Sequence, residues 1–226
     1  MQTRGAAKAA KPARSTDQGV KNPILQRERR AALVAAAVDV FYDKGFHACR
    51  VSDVAEAAGI SPGSIYNYVR SKEDLLYMVC EDHLSRYRDA VAAALEGATS
   101  PSEKLTALLD VTVKATAQYR KHYAVMLREI HHVEKAKRRT YMKLAADQRK
   151  VCEDVLLEAG ITNVMPGTDV RTIANLILFI PSFMAGRGWD LKDGPTEPHI
   201  SRILIGFLQR GLGLPWEEAV AQSPVS

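Results

Sequence analysis

From Pro23 onward, apolar residues along this chain recur at intervals of three and four, and nowhere in a sustained alternation. Leu33, Val34, Ala37, Val38 and Phe41 trace one helical face, and Gly45 ends it. A short helix is expected from about Val51 to Ala58, closed by Gly59, and a third from Ser61 to about Val69. Ser71 reads as the cap of a long helix over 72–96, with Leu75, Leu76, Val79, His83, Leu84, Tyr87, Val91 and Leu95 on one stripe. Pro101 opens the next helix, and others follow at about 121–131 and 135–159. Residues 161–169 read as a loop. Two further helices cover about 170–187 and 197–211. The pattern predicts an all-α fold of about nine helices with no strand.

Length and charge refine this reading. The 226 residues suit one large domain or two small ones. We divide the chain into an arm (1–22), a three-helix unit (23–71), a larger helical domain (72–214, opened by the connecting helix 72–96) and a tail (215–226). The arm lacks large apolar side chains, so it is expected to be disordered. The net charge is +5, and residues 1–30 carry eight basic against two acidic side chains, so the rest is near neutral. That asymmetry points to a polyanionic partner. No apolar segment follows the basic N-terminal residues, so no signal peptide is expected. The most apolar run, Leu176–Ala185, is ten residues with a proline inside, against about 20 for a bilayer span. Three cysteines without a C-x-x-C pair fit reduced thiols in a cytoplasm better than a disulfide framework or a structural zinc.

Candidate chemistry centres on Gly59-Ile60-Ser61-Pro62-Gly63, which fits the G-x-S-x-G pattern of some serine hydrolases. A nucleophile elbow needs a strand before the serine, and VSDVAEAAG is helical in pattern. Ser61 as a helix cap with Pro62 at the first helical position explains the same letters. Val54, Ala55, Ala58, Ile60 and Ile65 supply the small or apolar residues where two short helices cross, and Gly59 turns one into the next. The second helix then displays hydroxyl, amide and small groups and no acid, a surface that phosphates accept. A helical adaptor that binds protein through this corner is the other non-enzymatic reading.

Ala36, Phe41, Gly45, Phe46, Val51, Val54, Ala55, Ala58, Gly59, Ile60, Ser61, Gly63, Ser64, Ile65, Tyr66, Tyr68, Ser71, Lys72, Glu73 and Leu75 make the run from about Gln26 to Val79 resemble, without gaps, the N-terminal domain of the TetR family of bacterial transcriptional regulators. The resemblance implies a homodimeric, cytoplasmic, nucleoid-associated repressor of a pseudo-palindromic operator on double-stranded DNA, not an enzyme. The recognition helices of such a dimer sit roughly 34–36 Å apart. It implies phosphate contacts for Ser64, Tyr66, Tyr68 and Lys72, base or sugar contacts for Pro62, Gly63 and Asn67, and a contact for Ser52. Arg50 departs from the pattern, because a capping Ser or Thr is usual there. Either Ser52 takes over the cap or Arg50 reaches a phosphate.

The remainder resembles the family in layout. Helix 170–187 is apolar nearly all round and must be buried. Ile173, Ile177 and Ile180, with Ile200, Ile203, Leu204, Phe207 and Leu208 of the last helix, are the expected dimer interface. Pro181 should kink the helix. A ligand pocket is expected from His83, Tyr87, His122, Met126, Arg149, Phe179, Phe183, Met184, Arg187 and Trp189. The segment AGRGWDLKDG at 185–194 resembles members that sense acyl-CoA, so the expected effector is an acyl-CoA or another hydrophobic anion. No cofactor is expected. His131 and His132, with Glu129 and Glu134, invite a metal reading. Adjacent helical side chains point about 100° apart, so without a group from elsewhere no metal site is expected.

Overall fold

The computed structural model describes residues 23–187 and 197–213, and the expected arm, the tail and Trp189 lie outside them. The described residues hold nine α-helices and no strand: α1 (Pro23–Lys44), α2 (Val51–Ala57), α3 (Lys72–Glu96), α4 (Pro101–Gln118), α5 (Arg120–Glu129), α6 (Lys135–Glu158), α7 (Ile161–Val164), α8 (Val170–Arg187) and α9 (Glu197–Gly211). No helix among them is long and apolar enough to cross a membrane.

Two apolar cores divide the molecule. In the head, Leu33, Val34, Phe41, Phe46, Val54, Ile65, Leu75 and Val79 pack together, and Val125 and Val133 from the body join the same cluster. The head is therefore fused to the body through shared packing. In the body, α8 packs against α4, α5 and α6, and α9 lies against α4. Leu105, Leu108, Leu109, Tyr119, Tyr123, Leu156, Ile173 and Ile177 fill that core. The helix α3 serves both: Leu75, Leu76 and Val79 face the head, and Tyr87 and Val91 face the body.

Local signals place the ends. Gly45 at φ +79° closes α1, its N–H donating to the Phe41 carbonyl. Gly59, at φ +66°, turns α2 into the next segment. The Ile60 N–H reaches back to the Ala55 carbonyl at 2.9 Å, the paired-bond closure that a left-handed residue allows. The Ser71 hydroxyl accepts from the Asp74 N–H at 3.3 Å, and the Asp74 carboxylate accepts from Arg70 N–H at 2.9 Å. The carboxylate therefore closes onto the residue before the cap, one earlier than in the usual box.

Three expectations change. The third helix is only a 3-10 turn, Ser64–Asn67, with the Ser64 N–H bonded to Ser61 O and the Tyr68 N–H to Ile65 O. Gly63 and the β-branched Ile65 both weaken an α-helix so short. Residues 161–169 are not all loop: Gly160, at φ +76°, starts α7. At the start of α2, neither Ser52 nor the Arg50 side chain caps. The Asp53 carboxylate accepts from the Arg50 N–H at 2.9 Å, and that bond holds its pKa below the ordinary carboxylate value.

Candidate nucleic-acid interface and ligand core

Ser61 settles into the capping role. Its Oγ accepts from the Ser64 N–H at 3.3 Å and donates to the Ser64 Oγ at 2.7 Å. Ile65 and Val69 sink into the head core and so turn their neighbours outward: Ser61, Pro62, Gly63, Ser64, Tyr66 and Asn67 are exposed, and Tyr68 is half-buried. Arg50 and Ser52 are exposed on the adjoining start of α2. No acid occurs between Glu56 and Glu73, so the face offers hydroxyl, amide and backbone donors with no carboxylate among them. Such a surface can receive phosphate oxygens and an accessible groove edge.

Lys72 is held differently from its neighbours. Its ammonium donates to the Phe46 carbonyl at 3.0 Å and the His47 carbonyl at 3.3 Å, and lies 4.6 Å from the Phe46 ring centre. Two of its three donors thus tie the start of α3 to the turn after α1, leaving one for an external acceptor.

Of the ten expected pocket residues, two, His83 and His122, meet in the body. The His83 ring lies 6.3 Å from His122, and the Tyr119 and Tyr123 rings stand edge-on to His83 at 5.5 and 4.4 Å. Tyr87 lies one turn further along α3, and Met126 is buried on α5. Thr112 donates to the Leu108 carbonyl at 2.8 Å, so the 2.7 Å bond to Tyr87 must be donated by the tyrosine. His83 Nδ1 is buried and has no hydrogen-bond partner among the described residues. Burial, and then the nearby His122, push its pKa down to about 3, so it is neutral at ordinary pH. Burial also raises the Tyr87 and Tyr123 hydroxyls, and takes Cys80 and Cys152 up to about 12 as inert thiols.

The other expected pocket residues stand apart. Arg149 is ion-paired to Glu153 on its own helix. Phe179 and Phe183 are on the outer face of α8, with Met184 half-buried and Arg187 exposed at its end. A wide open cleft of about 890 Å³ runs between α1, α3 and α6, and none of the ten lines it. Its rim arginines are matched by acids, Arg30 with Glu81 and Arg86 with Asp82, so it shows no net demand for an anion. Thr112, Tyr119 and Tyr123 escaped the sequence reading, because ordinary core periodicity hides them.

The outer surface of α8 and α9 also corrects the sequence reading. Ile173 and Ile177 are buried in the protomer's own core, not displayed. A helix apolar on every side gives no contrast from which to choose its inner face. Leu176 (65% exposed), Phe179 (57%), Phe183 (45%), Ile203 (54%) and Phe207 (74%) are displayed instead. Ile180, Ile200, Leu204 and Leu208 are half-buried beside them. Pro181 lies on the buried side, and α8 continues through it to Arg187.

His131 and His132 sit in a 3-10 turn, Ile130–His132, rather than in a helix. The third group that the sequence reading lacked is His47, whose ring meets His132 edge-on at 4.7 Å. Glu134 is exposed at the start of α6 and is not among the groups that gather there. Desolvation, and then its histidine neighbours, lower the His132 pKa.

The head and body match two family models: bacterial regulatory proteins of the tetR family over residues 33–77, and the tetracyclin repressor-like C-terminal domain over residues 98–212. The transcriptional repressor KstR2 of Rhodococcus jostii is 32% identical over 193 residues, covering 83% of this chain and 92% of that protein. Two other curated regulators match over shorter stretches, the chain spanning 45% and 41% of their lengths. Among solved structures, a tetR-family regulatory protein from Rhodococcus RHA1 has a TM-score of 0.72 at 20% identity, covering 84% of this chain and 99% of that one. AibR, crystallised with isovaleryl coenzyme A and operator DNA, has a TM-score of 0.66 at 18% identity, covering 79% and 97%. With both halves matched in order and a repressor aligned over nearly its whole length, this chain belongs to the TetR family of bacterial transcriptional regulators.

Proposed function

We propose that the protein represses transcription as a two-fold dimer, with Ser61–Tyr68 of each protomer laid across a groove of a pseudo-palindromic operator. The observation that carries this reading is the acid-free outer face of that segment, whose inner side is committed to the core by Ile65 and Val69. Ser64, Tyr66 and Tyr68 supply phosphate donors, Lys72 supplies its remaining N–H, and Arg50 supplies charge. Pro62, Gly63 and Asn67 meet base or sugar edges, where proline offers only apolar contact. The exposed stripe of Leu176, Phe179, Phe183, Ile203 and Phe207 supports dimerisation through α8 and α9, since monomers rarely leave such a patch in water.

The effector in this reading is a hydrophobic anion of the acyl-CoA class. It enters the body core beside His83, whose unpartnered nitrogen can bond an oxygen-bearing group, and the surrounding tyrosines accept an apolar chain. Binding that favours one tilt of α3 over another changes the spacing of the two heads. Mobility shift with DNA from upstream of the gene tests the first part. The expected result is a complex that weakens steeply with added salt. A protein that shifts no such DNA, or binds it with no salt dependence, overturns it in favour of a protein-binding adaptor. Thermal-shift screening of acyl-CoAs against free lipids, sugars and metals tests the effector. No stabilisation by any acyl-CoA overturns that class.

A further inference from the structure

We propose that His47, Glu129 and His132 form a binding site for a divalent transition-metal ion, which clasps the head to the body. His47 lies on the turn between α1 and α2, Glu129 ends α5, and His132 ends the 3-10 turn that follows. Their candidate ligand atoms all lie within 4.8 Å of one another. Glu129 Oε2 and His132 Nε2 are already 3.6 Å apart. Donors around a tetrahedral zinc stand about 3.4 Å apart, given bonds of about 2.1 Å. Closing the site therefore asks for a movement of about 1 Å, chiefly by His47, which is exposed on a turn.

The state of His132 points to a missing partner. Its Nε2 is out of contact with solvent and has no hydrogen-bond partner among the described residues. Its ring cannot easily swing away, because it stacks on Phe46 at 4.8 Å and meets His47 edge-on. Buried polar atoms left this way are rare in folded proteins unless something else binds them. Two imidazoles and one carboxylate suit zinc, cobalt or nickel better than calcium or magnesium, which prefer all-oxygen shells. A water completes the shell. The Lys72 ammonium, which grips the Phe46 and His47 carbonyls, opposes a cation here, and the Glu129 carboxylate offsets it. The turn after α1 is thus held from α3 by Lys72 and, with metal present, from α5 as well.

The test uses full-length protein without a histidine tag, with Co2+ as the probe and no DNA, so its outcome is independent of operator binding. Equilibrium dialysis and visible absorption are expected to give one Co2+ per chain with ligand-field bands, and Co2+ is expected to raise the thermal midpoint. His47→Ala and Glu129→Gln, both at sites outside the packed core, should each weaken Co2+ binding by more than about tenfold and abolish the midpoint shift. Circular dichroism checks that both variants fold. Failure of the parent protein to bind stoichiometric Co2+ overturns the site. So does His47→Ala binding Co2+ as tightly as the parent, which would place the metal among the other histidines.

Discussion

The head and the far side of the body present opposite surfaces to the outside. Around Ser61–Asn67 the displayed groups are hydroxyls, an amide, a phenol and backbone N–H, with no acid in the chain between Glu56 and Glu73. On α8 and α9 the displayed groups are leucine, isoleucine and phenylalanine. Each surface lies outside a buried apolar cluster, so neither is needed to hold its own core together. The contrast lies in what each can gain by meeting a partner. A polar face gains little from burial and much from charged acceptors. An apolar face gains about 1.5–3 kcal/mol for each large side chain it removes from water. The former suits a polyanion, and the latter suits a second protein surface.

The sharpest way to break this contrast is to charge the apolar side. Phe179→Asp combined with Phe207→Asp should leave the protomer folded, because both rings are exposed, while converting the dimer to a monomer in light scattering. Operator affinity should then fall by roughly 100- to 10,000-fold, the advantage of linked over single half-site binding. A double variant that remains dimeric would move the interface away from α8 and α9.

The next effect concerns the inner side of the head. Ile65 is fully buried beneath the polar face. Ile65→Ala should cost about 2–4 kcal/mol in urea unfolding. Unfolding should stay a single transition, because Val125 and Val133 of the body share the head core. A separate early transition would show the head to be an independent unit.

Much of the head could be read directly because its signals are local. Gly45, Gly59, Ser61 and Ser71 each mark a chain end or turn within four residues of the bond they make. The 3-10 character of Ser64–Asn67 was not legible, since propensity separates helix from coil better than one helix type from another. In the body, helix bounds were readable but helix faces were not. The α8 sequence carries apolar residues on every side, and only packing against α4, α5 and α6 selects Ile173 and Ile177 as inward. The approach of His47 to His132, and the isolation of His83, depend on residues far apart in the chain, which no local pattern encodes.

Acid sharpens the comparison from the body's side. His83 is neutral in the fold, with its pKa pushed from 6.5 to about 3 by burial, whereas the unfolded chain takes up a proton near 6.5. Between these values the unfolded state binds more protons, so stability is full above about pH 6.5 and is lost as pH falls toward 3. The slope from this one group is at most about 1.4 kcal/mol per pH unit. His83→Leu should flatten the fall in urea midpoint across that window. An unchanged pH profile would mean that His83 accepts a proton inside the fold.

The smallest expected effect separates two kinds of polar contact on the head. Tyr66 is 59% exposed and lies outside the head's buried cluster, so Tyr66→Ala should change stability by less than about 0.5 kcal/mol. Its loss should weaken DNA binding by about 1 kcal/mol, since a neutral hydroxyl contributes one ordinary hydrogen bond. Only charged contacts displace counterions from the duplex, so the steepness of the salt dependence should be the same with and without Tyr66. Arg50→Ala should instead reduce the salt slope by about one, if its guanidinium lies against a phosphate. Fluorescence anisotropy titrations at several salt concentrations read both numbers. A salt slope that drops for Tyr66→Ala and holds for Arg50→Ala would reverse the roles and turn the head by a face relative to the duplex.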